Sequence, residues 1–135
     1  MKKSMVVDTS ALIAILNDEP MAEDLIRVLL SASEKLMSSL SFLEASLVAS
    51  AQKGDAGFLA LESLIHRMNI QIIPLTTQHV EIAREAWMQF GKSRHPAKLN
   101  LGDTASYALA KYSGCQLLCV GNDFAQTDIE LVIKA

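Results

Sequence analysis

The sequence predicts an α/β fold built on a parallel sheet. Short β-branched or apolar runs alternate along the chain with segments whose apolar residues recur at helical spacing. Strands separated by helices call for parallel pairing. The chain has 135 residues, half of them hydrophobic and a fifth charged. That length suits one domain over 1–135, and that composition fills a core.

The elements follow in order. Lys3 to Val7 reads as a buried strand that stops at Asp8. Ser10 to Leu16 reads as a helix, and Pro20 opens another that runs to Ser31. Lys35 to Ser38 is a short strand, and Ser41 to Lys53 a helix ended by Gly54. Asp55 to Met68 is amphipathic, with Phe58, Leu61, Leu64, Ile65 and Met68 at helical spacing. Ile70 to Leu75 is a β-branched strand. Thr77 to Phe90 is a helix with Val80, Ala83, Trp87 and Phe90 on one stripe. Residues 92–100 form a polar loop. Gly102 to Ser113 is an apolar helix, Gln116 to Val120 a strand, and Glu130 to Ile133 a last short strand.

Composition excludes several function classes. The formal net charge is −3, so a globally basic nucleic-acid binder is ruled out and any such contact must be local. No apolar run reaches the roughly 20 residues of a membrane span or forms a signal-peptide core. The expectation is a soluble, cytoplasmic protein with no membrane partner. Cys115 and Cys119 lie four residues apart. On a strand that is about 13 Å, at ~3.3 Å per residue, too far for a disulfide. Inert core thiols are expected. Walker and dinucleotide glycine motifs are absent, and aromatics at 5% give no stacking platform for bases.

The chemistry concentrates in acids. In a parallel sheet the working site lies beyond the carboxyl ends of the strands. Asp8 follows the first strand directly. Asp123 follows the strand from Gln116, after Gly121 and Asn122. Glu44 and Asp103 fall in early turns of two helices. Four carboxylates in one cleft would suit Mg²⁺ or Mn²⁺, which relieves their mutual repulsion. Each acid has a plainer reading: Asp8 as a helix cap, Glu44 closing a capping box with Ser41, Asp103 favouring a helix dipole, Asp123 as a turn residue. Those readings do not explain why all four fall at one structural phase. Glu44 shares a face with Leu40, Leu47, Val48 and Ala51, which points it inward. Ser10, Asn122, Thr127 and Asp128 could orient the acids. Lys92, Arg94, His95 and Lys98 crowd the loop before Asp103 and are the candidates for phosphate contact. His66 and His79 are expected at the surface or an interface.

These acids sit in recognisable surroundings. Val7-Asp8-Thr9-Ser10-Ala11-Leu12 resembles the opening motif of PIN-domain toxins of the VapC type. Ser41-Phe42-Leu43-Glu44-Ala45-Ser46 resembles their second acidic motif, and Asn100-Leu101-Gly102-Asp103 with Tyr107-Ala108-Leu109-Ala110 their third. Gly121-Asn122-Asp123-Phe124, then Thr127-Asp128, resembles the last. The motifs come in family order over essentially the whole chain. The resemblance implies a PIN-like three-layer α/β/α fold with a parallel sheet of four to five strands. It implies Mg²⁺- or Mn²⁺-dependent endonucleolytic cleavage of RNA, tRNA being one candidate. It makes Asp8 and Asp103 the firmest metal ligands, with Glu44 and Asp123 completing the set. It also implies a homodimer and a small VapB-like antitoxin that covers the site.

Two other readings are open. A receiver-type phosphoryl-transfer domain also gathers acids around Mg²⁺, but it would want an acidic neighbour beside Asp8 and a lysine soon after Val120. A non-catalytic PIN module acting as a scaffold would be expected to have lost acids, and all four are here.

Overall fold

The computed structural model describes residues 3–91 and 99–133. Strand β1 (Ser4–Val7) leads into helix α1 (Thr9–Leu16) and helix α2 (Ala22–Ser31). Strand β2 (Glu34–Ser38) runs straight into helix α3 (Ser39–Arg67). Then come β3 (Gln71–Ile73), α4 (Thr77–Phe90), α5 (Leu101–Ser113) and β4 (Gln116–Leu118).

All strand pairs are parallel, in the order β3-β2-β1-β4. Val6 sits opposite Leu36 on one side and Leu117 on the other. The chain builds outward from β1 to β2 and β3, then returns to add β4 on the free side of β1. The boundary between β1 and β4 is therefore the topological switch point, where such sheets place their ligand sites.

The pleat explains the three layers. Met5, Val7, Met37 and Leu118 face one core, shared with Leu12, Leu25, Leu29, Ala45 and Leu61 from α1, α2 and α3. Val6, Leu36 and Leu117 face the other, shared with Phe90, Tyr107 and Leu109 from α4 and α5. Neighbouring residues on one strand thus feed opposite cores, as a period of two requires. Each fully buried leucine contributes about 1.5–3 kcal/mol.

Several expectations need correction. The fifth strand, from Glu130, reduces to a single parallel bridge between Leu131 and Leu117, so the sheet among the described residues has four strands. The strand expected from Ile70 to Leu75 shrinks to three residues, because Pro74 has no N–H for the ladder. The two helices expected on either side of Gly54 are present: α3 consists of two helical stretches that meet at a kink, where the backbone of Lys53 and Gly54 is not helical. Gly54 has φ +60 and ψ −147, a conformation that glycine adopts without strain. On α4 the buried residues are His79, Ala86 and Phe90, whereas Val80 and Trp87 are exposed. His79 is not at the surface. Its ring closes a capping box with Thr76 and packs edge-on against Tyr112, and burial lowers its pKa. His66 is exposed, as expected. No described helix is long and apolar enough to cross a membrane. Cys115 and Cys119 are free thiols, and burial followed by nearby carboxylates pushes Cys119 up to about 12.

Candidate active site

Asp8 is the first residue beyond β1 and is buried. Its Oδ2 accepts from the Ser10 N–H at 3.1 Å and the Ser10 hydroxyl at 2.7 Å, which makes it the N-cap of α1. Its Oδ1 accepts from the hydroxyl of Ser106 on α5 at 2.5 Å. Capping and a place in a wider cluster therefore coexist. The Ser10 hydroxyl also accepts from the Val120 N–H at 3.0 Å, which ties the end of β1 to the segment leaving β4.

Glu44 stands on α3, but not as the sequence suggests. The helix starts at Ser39 under a Ser38 cap, so Ser41 and Glu44 form no capping box. The buried stripe is Ser41, Ala45 and Ala49. Those small side chains let α3 approach its neighbours closely, and they displace the expected core face outward. Leu47 is 62% exposed, and Leu40, Leu43, Leu47 and Val48 line an apolar groove with Leu101. Glu44 sits half-buried at the edge of that groove. Burial raises its pKa, a hydrogen bond with Thr9 offsets part of the rise, and Asp8 adds to it.

Asp103 closes a reciprocal capping box at the start of α5. It accepts from the Asn100 N–H at 3.1 Å, and its own N–H donates to the Asn100 side chain at 3.0 Å. It is nevertheless buried, and its carboxyl is pushed up to about 7. Burial is the largest cause, opposed by the Asn100 hydrogen bond and reinforced by the charges of Asp8, Asp123 and Glu44. Carboxylates from three other stretches of chain thus act on Asp103 at the switch point of the sheet. Asp123 is the exposed member, on the loop after β4.

Residues 5–130 match the PIN domain family. The chain is 44% identical over 128 residues to ribonuclease VapC30 of Mycobacterium tuberculosis, covering 95% of this chain and 98% of the relative. The chain belongs to the VapC ribonucleases of the PIN-domain family. Solved structures share the fold. VapC20 of Mycobacterium tuberculosis, a sarcin-ricin loop cleaving toxin, superposes with a TM-score of 0.78 at 20% identity, over 96% of this chain and 99% of that one. A chain of VapBC2 from Rickettsia felis, bound to a DNA fragment from their promoter, gives 0.75 at 14% identity, over 95% and 96%.

The other candidates in this VapC-family chain divide. Ser10 holds Asp8 directly. Asn122 is exposed and caps the turn to Ala125 through its carbonyl. The hydroxyl of Thr127 donates to the Phe124 carbonyl and accepts from Ile129, which is turn chemistry. Asp128 accepts from Tyr107 at 2.5 Å and Lys111 at 2.6 Å, further down α5 than the acids. Lys92, Arg94, His95 and Lys98 lie outside the described residues. Sequence reasoning missed Ser41 and Ser106. Both are wholly buried, and their hydroxyls meet at 2.9 Å beneath the acids. Their only signal was a hydroxyl one helical turn from an acid, at Ser41–Glu44 and Asp103–Ser106.

The donor set fits a hard divalent cation: carboxylate oxygens at one sheet edge, two of them buried, with the burial of Asp103 carrying a cost that a cation would remove. As the side chains stand, no three His, Cys, Asp or Glu among the described residues converge on one ion position.

Proposed function

We propose that this VapC ribonuclease is the toxin half of a toxin–antitoxin pair and cleaves RNA internally at the Asp8–Glu44–Asp103–Asp123 cleft, with Mg²⁺ or Mn²⁺ held by those acids. The observation that supports the reading is the raised pKa of buried Asp103, to which the other three acids all contribute. An ion bound there supplies a Lewis acid for a phosphoryl oxygen and for a water. The chain supplies the rest. Asp8 is fixed by three donors from two elements. Asp103 is held at the N-terminus of α5, where the helix dipole favours its charge. Glu44 and Asp123, less enclosed, have freedom to adjust as substrate enters. The whole domain serves this one site, and the basic residues of segment 92–98 contact the phosphates of the RNA.

A small VapB-like antitoxin covers the cleft in the resting state, with a basic side chain among the carboxylates as the natural device. The toxin pairs as a homodimer in the cytoplasm. Among RNAs, tRNA is the candidate substrate. The test is direct. Antitoxin-free protein is incubated with total RNA in EDTA, Mg²⁺ or Mn²⁺, beside an Asp8→Asn variant. Cleavage that needs metal and vanishes in the variant supports the site. Cleavage that persists in EDTA or in the variant sinks it.

A further inference from the structure

We propose that Ser41 and Ser106 form a hydroxyl clasp beneath the acidic cleft, positioning Asp8 and fixing the spacing of the two helices that carry Glu44 and Asp103. The inference rests on the acidic-site reading above. The bonds are Ser41 Oγ to Ser106 Oγ at 2.9 Å and Ser106 Oγ to Asp8 Oδ1 at 2.5 Å.

Chemistry sets the direction of this chain. An ionised carboxylate only accepts, so Ser106 spends its single proton on Asp8. Ser41 must then donate to Ser106. A hydroxyl that receives one hydrogen bond donates a stronger one, so each bond reinforces the other. Ser41 has no remaining proton to offer, and its backbone carbonyl accepts from the Thr9 hydroxyl at 2.8 Å.

The serines are there for their oxygens and not for their size. Ser41 lies in a stripe with Ala45 and Ala49, and Ser106 lies between Ala105 and Tyr107 in a fully buried run of α5. An alanine would fit either position sterically. A buried hydroxyl without a partner is costly, so the pairing is what makes these serines tolerable. The clasp crosses long stretches of sequence, 65 residues in one bond and 98 in the other. It joins α3, α5 and the end of β1, and each of these elements carries one acid. Glu44 is three residues from Ser41 and Asp103 three from Ser106, so each acid stands one turn from its clasp residue on the same helix. Ser41 and Ser106 are thus positioning residues that act through Asp8 and the helix spacing.

The experiment compares Ser41→Ala, Ser106→Ala and the double variant with the parent, all free of antitoxin. Mn²⁺ alone is titrated by calorimetry, and crystal structures are determined in EDTA. Ser106→Ala should weaken Mn²⁺ binding about 10–100-fold, the range for residues that support metal ligands. Ser41→Ala should weaken it less, and the double variant should match Ser106→Ala, since Ser41 acts only through Ser106. In the metal-free crystal of Ser106→Ala, the Asp8 carboxylate should turn from its present position. Additive losses, or an Asp8 that stays in place, overturn the clasp. A parent that takes up no Mn²⁺ fails the acidic-site reading instead, and the position of Asp8 in the crystals then decides the clasp alone. Should Ser106→Ala not fold, Ser41→Ala carries the same tests, and unchanged Mn²⁺ affinity with unmoved Ser106 and Asp8 overturns it.

Discussion

Gly102 lies directly against the carboxylate of Glu44: a Cβ at that position would stand 2.3 Å from Oε1 and 2.4 Å from Oε2. The glycine of the third motif thus makes room for the acid of the second. Gly102→Ala should push the Glu44 carboxylate aside, which a flexible side chain can do cheaply. The same change removes a glycine from the first turn of α5, worth ~0.5–1 kcal/mol in favour of the helix. RNA cleavage is expected to fall about tenfold or more while the melting temperature holds or rises. Full activity in the alanine variant would show that Glu44 need not occupy its present place.

Asp128 differs from the four acids of the cleft in that its partners are a tyrosine and a lysine of α5. Burial works to raise its pKa, but hydrogen bonds from Lys111 and Tyr107 outweigh this and hold its carboxyl below the usual range. A depressed acid contributes stability above its unfolded pKa, about 3.9, and that contribution is lost as pH falls through the folded value. Asp128→Ala should therefore lower stability at pH 7 by about 1 kcal/mol, a modest figure because the ion pair is half exposed. The gap between parent and variant should close in acid. RNA cleavage should stay within about twofold at temperatures where both are folded. A large loss of cleavage with an unchanged melting curve would return Asp128 to the site.

The basic segment 92–98 is tested by salt. Lys92, Arg94, His95 and Lys98 concentrate positive charge in a chain of net charge −3. If Arg94 and Lys98 each neutralise a phosphate, Arg94→Ala and Lys98→Ala should each flatten the salt dependence of RNA binding by about one unit of slope. Binding by the catalytically silent Asp8→Asn protein, measured across a salt series, gives the slopes without cleavage. Slopes equal to that of the protein with Arg94 and Lys98 intact would remove these residues from the RNA interface.

What the sequence made legible was whatever has a local signature. The helix Thr77–Phe90 is bounded as its apolar spacing predicts, and the structure caps it with Thr76 and ends it at Gly91. The acids stood out because Asp8 and Asp123 follow apolar runs. The inward face of α3 was misread because hydropathy favours Leu40 and Leu47, whereas close packing favours Ser41, Ala45 and Ala49. His79 was misread because its ring serves as a capping acceptor, a role that polarity alone does not reveal. The Ser41–Ser106 contact left no trace beyond the one-turn spacing of each serine from an acid, since it joins positions 65 residues apart and depends on how two helices meet.

The last prediction separates the two roles of Asp103. Its carboxyl, pushed up to about 7, prefers the neutral form in the folded protein. For an acid whose folded pKa is raised, the folded state holds the proton after the unfolded chain has released it. Stability of the metal-free protein should therefore fall as pH rises from about 4 to about 7, by at most about 1.36 kcal/mol per pH unit for one proton. Asp103→Asn removes that titration. Its amide oxygen can still accept from the Asn100 N–H, so the capping box survives. In EDTA at pH 7.5 the variant should match the parent or exceed it by ~1 kcal/mol, and its pH slope between 4 and 7 should be shallower. Mg²⁺ should raise the melting temperature of the parent, because an ion that binds only the native state stabilises it. That rise should shrink in Asp103→Asn, and RNA cleavage should nearly vanish. A purely capping role predicts otherwise: loss of a first-turn charge costs ~0.3–1 kcal/mol through the helix dipole, with no link to metal. Melts of both proteins across pH, in EDTA and in Mg²⁺, distinguish the two. A variant that is less stable than the parent in EDTA, with an undiminished Mg²⁺ response, would make Asp103 a capping residue alone.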